Sequence, residues 1–223
     1  MLFTLSSCIQ DTTSTTNKDE NSTPVVTTDS AINTGITVST EQNQSQNHYD
    51  YLAKNKGEIS EVDFETAYEM CMGILNDYYK AVWNGSNLVL DTYIDNDNLK
   101  QYTQKKIQAQ HDAKGILNDN MQDIEIGDWE VDYTDDVNGG FLYLKLPVEI
   151  KKDVGSYGEN NEFLVRNING KLVIVDWYTD TKDSYDFLVR GENQTIDKPT
   201  IWNDLEWVKK IHKKQLEFSG STR

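Results

Sequence analysis

The stretch LYLKLPVEI, residues 142–150, decides the fold. Leu142, Leu144, Leu146, Val148 and Ile150 alternate with Tyr143, Lys145, Pro147 and Glu149. A period of two turns every second side chain toward one face, so this is a strand with one side on a core. Downstream, EFLVRN (162–167) and LVIVDWYT (172–179) flank Asn169-Gly170. An Asn-Gly pair between two apolar runs is a hairpin signal, because both residues tolerate the positive φ that the tight turn demands. Upstream, Ile124, Ile126, Trp129, Val131 and Tyr133 keep the same period if Gly127 is a bulge, and DDVNGG (135–140) supplies the next turn. Four antiparallel strands joined by hairpins are expected.

The period changes to 3.6 on the N-terminal side. Phe64, Ala67, Cys71, Ile74, Leu75, Tyr78 and Val82 fall on one helical face behind a capping-box-like pair, Ser60 and Asp63. Asn84-Gly85 stops this helix. SNLVLDTYI (86–94) reads as a short second helix carrying Leu88, Leu90 and Ile94, and DNDN (95–98) caps a third, polar one from Asn96 to Lys114. That third helix buries Leu99, Tyr102 and Ile107, with Gly115 as its terminator. Past the strands, SYDFLVRGENQTID (184–197) reads as short strand and loop. Pro199 then opens a last helix with Ile201, Leu205, Val208, Ile211 and Leu216 on one side, and Lys209, Lys210, Lys213 and Lys214 near its C-terminal end, where cations favour the helix dipole. The expected class is α+β: N-terminal helices packed on a curved four-stranded antiparallel sheet, plus a C-terminal helix.

This element order, with the closing GKLVIVDW (170–177), resembles the nuclear transport factor-like, or cystatin-like, α+β cone over Glu58 to Arg190. The resemblance implies a sheet wrapped around the long first helix, and in enzymatic members such as steroid isomerases and polyketide cyclases an acid or base buried in the cone. Asp176 is the candidate here. It shares a face with Leu172 and Ile174 if the strand is regular, and the opposite phase, with Val173, Val175 and Trp177 inward, fits the sequence equally. Tyr79, Trp83, Trp129, Tyr143, Trp177 and Tyr178 are candidates to line a pocket at the open end. Similar domains also serve as accessory modules of secretion, conjugation or cell-wall amidase systems.

The chain begins MLFTLSSC, and Leu5-Ser6-Ser7-Cys8 is similar to the lipobox of bacterial lipoproteins, which implies a lipid on Cys8. The seven residues ahead of Cys8 carry no Lys or Arg and are shorter than a signal peptide, which places the expected start upstream. From Ile9 to His48 there is no aromatic residue and no leucine, and 15 of 40 residues are Ser or Thr. Such a stretch cannot bury enough apolar surface to offset the entropy of ordering it, so it reads as a tether. The expected organisation is a residual signal at 1–8, a tether at 9–56, the cone-like domain at 57–190, and a C-terminal loop and helix at 191–223.

Charge limits the partners. The 223 residues carry a formal −16, and after Lys56 there are 31 acids against 18 bases. The folded part therefore repels phosphates, which excludes a general basic surface for nucleic acid. His48, His111 and His212 have no metal-ligand spacing with one another or with Cys8 and Cys71, and Cys71 lies in an apolar helical run as a small hydrophobe. No metal or cofactor is expected. The expected role is non-catalytic binding of a cell-envelope protein or small apolar ligand by a lipid-anchored extracytoplasmic protein, with a homodimer as a further option and a cytoplasmic location if the lipobox is not used.

Overall fold

The computed structural model describes residues 51–117, 120–192 and 194–221. Cys8 and the tether through residue 50 lie outside the described residues. Four α-helices and an antiparallel sheet of five strands follow one another in an α+β order.

Helix α1 spans Phe64–Asn84. Its apolar face, Ala67, Met70, Cys71, Ile74, Leu75, Tyr78 and Val82, is almost completely buried. The buried Asp63 carboxylate precedes it, accepting the Ser60 amide at 3.0 Å and the Lys54 amide at 2.7 Å. Gly85, at φ 66°, returns its N–H to the Ala81 carbonyl and closes the helix. The expected second helix is instead a single 3-10 turn, Leu90–Thr92. Leu88, Leu90 and Ile94 are buried as expected, but Ile94 lies parallel to Ile174, and the Tyr93 carbonyl accepts the Ile174 amide at 2.8 Å. The segment is drawn out of helix because its backbone serves the sheet. Helix α2 spans Asp97–Leu117 and passes through Gly115 rather than ending there. The Asn96 side chain caps it, accepting the amides of Asn98 and Leu99.

The strands are β1 (Met121–Ile126), β2 (Glu130–Thr134), β3 (Phe141–Lys152), β4 (Gly155–Ile168) and β5 (Lys171–Thr179). The fifth strand arises because Gly127 marks a break rather than a bulge, so β1 and β2 pair separately with β3. Pro147 explains the break. Its carbonyl accepts the Gly127 amide at 2.8 Å, and in a strand a residue's N–H points to the same side as its C=O. Proline has no N–H to return, so the ladder stops there. Asn169 and Gly170 take φ of 57° and 92° in the β4–β5 turn, as the hairpin signal requires.

Leu142, Leu144, Leu146, Val148 and Ile150 share the main core with α1, together with Phe163, Val165, Leu172, Ile174 and Trp177. The opposite face carries a smaller apolar cluster of Phe141, Leu164, Val173, Val175, Tyr178 and Ile196, with Tyr143 against it.

Two segments depart from the sequence reading. Residues Tyr185–Arg190 form a helix, α3, not a strand, because Ser184 caps it: its hydroxyl accepts the Phe187 amide and donates to the Thr179 carbonyl. The last helix, α4, spans Leu205–Ser221 after a 3-10 turn at Ile201–Asn203. Its buried side is Val208, Ile211 and Gln215, while Leu205 and Leu216 are exposed. At the other end of the described chain, order begins before residue 57. The Tyr51 carbonyl accepts the Leu172 amide at 2.7 Å, and the Ala53 amide donates to Gly170 at 3.0 Å.

Candidate functional site

Strand β5 slips by one residue against β4: Leu164 faces Asp176 and Val165 faces Ile174, leaving Val175 as the bulged residue. The bulge moves Asp176 off the Leu172–Ile174 face and puts Trp177 there instead. Asp176 is 1% exposed. Arg190 of α3 grips it with two bonds, Nη1 to Oδ1 at 3.0 Å and Nη2 to Oδ2 at 2.8 Å. Trp202 Nε1 donates to Oδ1 at 2.7 Å and the Trp177 amide at 2.8 Å. The guanidinium lies 5.3, 5.5 and 5.4 Å from the ring centroids of Tyr178, Trp202 and Trp207. Burial disfavours the charged guanidinium, but Asp176 outweighs it and raises the Arg190 pKa. Four donors hold Asp176 as an anchored anion.

A second polar centre is buried on the helix side. Lys106 of α2, 1% exposed, donates to Asp186 Oδ2 at 2.6 Å and to Thr179 Oγ1 at 2.9 Å, and sits 4.2 Å from the Trp177 ring centroid. Tyr102 donates to the other oxygen of Asp186 at 2.5 Å, and the Thr179 amide donates to Oδ2 at 2.8 Å. Burial opposes ionisation of Asp186, but Lys106 and Arg190 more than offset it and hold its carboxyl below the usual range. The network runs on through Asn161, which accepts from Trp177 Nε1 and Thr179, to Tyr79, whose hydroxyl donates to Glu159 at 2.9 Å. Burial pushes the Glu159 carboxyl up.

The six candidate pocket aromatics are distributed. Tyr79 and Trp177 belong to this buried network. Trp83 lies under Lys114, 3.6 Å from Nζ to the ring centroid, with no hydrogen-bond partner on its Nε1. Trp129 stacks on Tyr68 at 5.1 Å. Tyr143 and Tyr178 lie on the opposite face of the sheet.

On that opposite face the structure forms an open groove of about 460 Å³. Phe141, Tyr143 and Ile196 provide apolar surface, and Asp132, Glu162, Asp180 and Asp197 carry the charge. Glu162 is 8% exposed. Burial first and the charge of Asp180 second push its carboxyl up, with Lys145 across the ladder pulling the other way. A neighbouring groove of about 610 Å³ lies where β1 and β2 part, over Gly127, Pro147 and Gly158. Among the described residues there is no cluster of three or more His, Cys, Asp or Glu able to hold a metal ion, and no helix is long and apolar enough to cross a membrane.

Lys106, Asp186 and Glu162 were invisible to periodicity, which reads a charged residue as solvated. The one available signal was that Lys106 follows Leu99 and Tyr102 at helical spacing on the buried face. Compared with protein-family models, curated proteins and solved structures, the chain matches none.

Proposed function

We propose that the chain is a non-catalytic binding module held at the extracytoplasmic face of a bacterial membrane by lipid on Cys8. In this reading the sheet curves around α1 as a cone-like domain, residues 9–50 give it reach, and the ligand-binding surface is the groove over Phe141, Tyr143 and Glu162. The observation that supports binding over catalysis is the state of the buried ionisable groups. Asp176 and Asp186 are each buried and held by a cation and further donors, and neither lines the groove as a base open to a substrate. The groove offers shape and charge instead.

An isomerase-like acid–base reading has Glu159, rather than Asp176, in its favour. Burial pushes its carboxyl up, in the direction a general acid uses, against the pull of the Tyr79 hydroxyl and of Lys106 and Lys114 toward the ionised form.

The test is intact mass and membrane fractionation of the full-length protein, with Cys8→Ala beside it. A diacylglyceryl mass on the wild type and release of the variant from the membrane are expected. Unmodified, soluble protein in both cases overturns the tethered reading.

A further inference from the structure

Four carboxylates are buried among the described residues: Asp63, Glu162, Asp176 and Asp186. Three are satisfied. Asp63 takes two backbone amides, Asp176 takes Arg190, and Asp186 takes Lys106. Glu162 is the exception. It lines the groove, and no described lysine, arginine or histidine closes an ion pair with it within 4.0 Å. Its compensation is partial: the Tyr143 hydroxyl lies beside it and Lys145 stands across the ladder, without closing an ion pair. Asp132, Asp180 and Asp197, on the rim of the same groove, likewise have no ion pair within 4.0 Å. A buried carboxylate that is only partly compensated carries a cost that a positive charge delivered into the groove would reduce.

We infer that the groove is a docking site for a basic segment of a partner protein, which seats an arginine or lysine side chain against Glu162 with its stem on Phe141, Tyr143 and Ile196. The acids do not converge as metal ligands. Their spread suits a guanidinium or ammonium, whose charge is delivered on an apolar stem and can lie against the Tyr143 ring. A segment of protein fits better than a small amine. Six of the ten lining residues are exposed, so the groove covers one side of its occupant, whereas small-ligand pockets enclose most of theirs. An aromatic floor with a charged rim is also how protein interfaces take an anchoring arginine. The inference rests on the binding reading above and narrows it to one surface and one charge class.

The test is a residue-resolved NMR titration of the full 223-residue chain with the capped peptide Gly-Arg-Gly-Arg-Gly, at about 20 mM salt so that screening is weak. The same peptide with glutamate for arginine, and agmatine, serve as controls. Shifts concentrated at Thr134, Tyr143, Glu162 and Asp180, with no response to the glutamate peptide, are expected. Glu162→Gln/Asp180→Asn should weaken binding about tenfold, while the charge-matched Glu65→Gln/Glu69→Gln on exposed positions of α1 changes it less than about twofold. Equal weakening by both pairs means that the overall negative charge does the attracting, and overturns the site. So does agmatine binding as tightly as the peptide, or the absence of shifts at the groove in the unsubstituted, folded chain. None of these results bears on the lipid at Cys8, which the mass and fractionation experiment decides separately.

Discussion

A buried carboxylate is stable only in the company it keeps, and Asp176 and Glu162 illustrate the two outcomes. Removing the partner of Asp176 strands a charge in the interior, which costs about 3–5 kcal/mol, whereas replacing both partners by apolar side chains is far milder. Arg190→Met should therefore lose about that much in urea denaturation, and Asp176→Leu/Arg190→Met should be more stable than the single variant. Equal losses would mean that the pair is not the source of the cost. Glu162 behaves in the opposite sense. Its folded pKa is raised, so the native state holds the proton more tightly than the unfolded chain, and stability falls as pH climbs through that raised value. Glu162→Gln should melt about 2 °C above the wild type at pH 7, and the gap should close toward pH 4. These roles were not legible in the sequence. Asp176 was visible as an acid within an apolar strand, but its direction turned on a bulge at Val175 that no residue there announces, since valine is an ordinary strand residue. Asn169-Gly170 was legible because its chemistry is local: both residues must accept positive φ.

The sequence pattern identifies an element where one face is consistently apolar and fails where tertiary contacts set the backbone. Helix α1 and strand β3 carry uninterrupted periods, and their buried faces are those the spacing predicts. Residues 90–94 pair with β5, and a local pattern has no term for that partner. Helix α3 is only six residues long, too short to show a helical period, and the strand and loop expected over 184–197 give way to it because Ser184 caps it. That cap bridges the end of β5 to the start of α3 through two hydrogen bonds. Ser184→Ala should cost about 1 kcal/mol in urea denaturation. Because α3 carries both Asp186 and Arg190, the same variant should raise amide exchange at Thr179 and Trp177; unchanged exchange there would show that the cap is local to the helix.

At the scale of the molecule, the described chain joins the sheet earlier than its composition suggests. Residues 51–53 lie along β5, Tyr51 stacks on Tyr93 at 5.9 Å, and Lys54 supplies an amide to Asp63. A chain beginning at Gln46 should therefore melt several degrees above one beginning at Gly57, by calorimetry; identical melting temperatures would make those contacts incidental. Tyr49, Tyr51 and Leu52 end the stretch without aromatics or leucine, but the polar AKNKGE (53–58) that follows reads as more tether and masks the boundary. The same contacts settle how the sheet ends. One margin, β5, is occupied by residues 51–53 and 93–94, and the other is cut in two where Pro147 forbids a continuous ladder. A long unpaired strand is a template on which further copies can add and grow into fibrils. Among the described residues neither margin offers a long one, so the sheet leaves little backbone on which a second copy could grow.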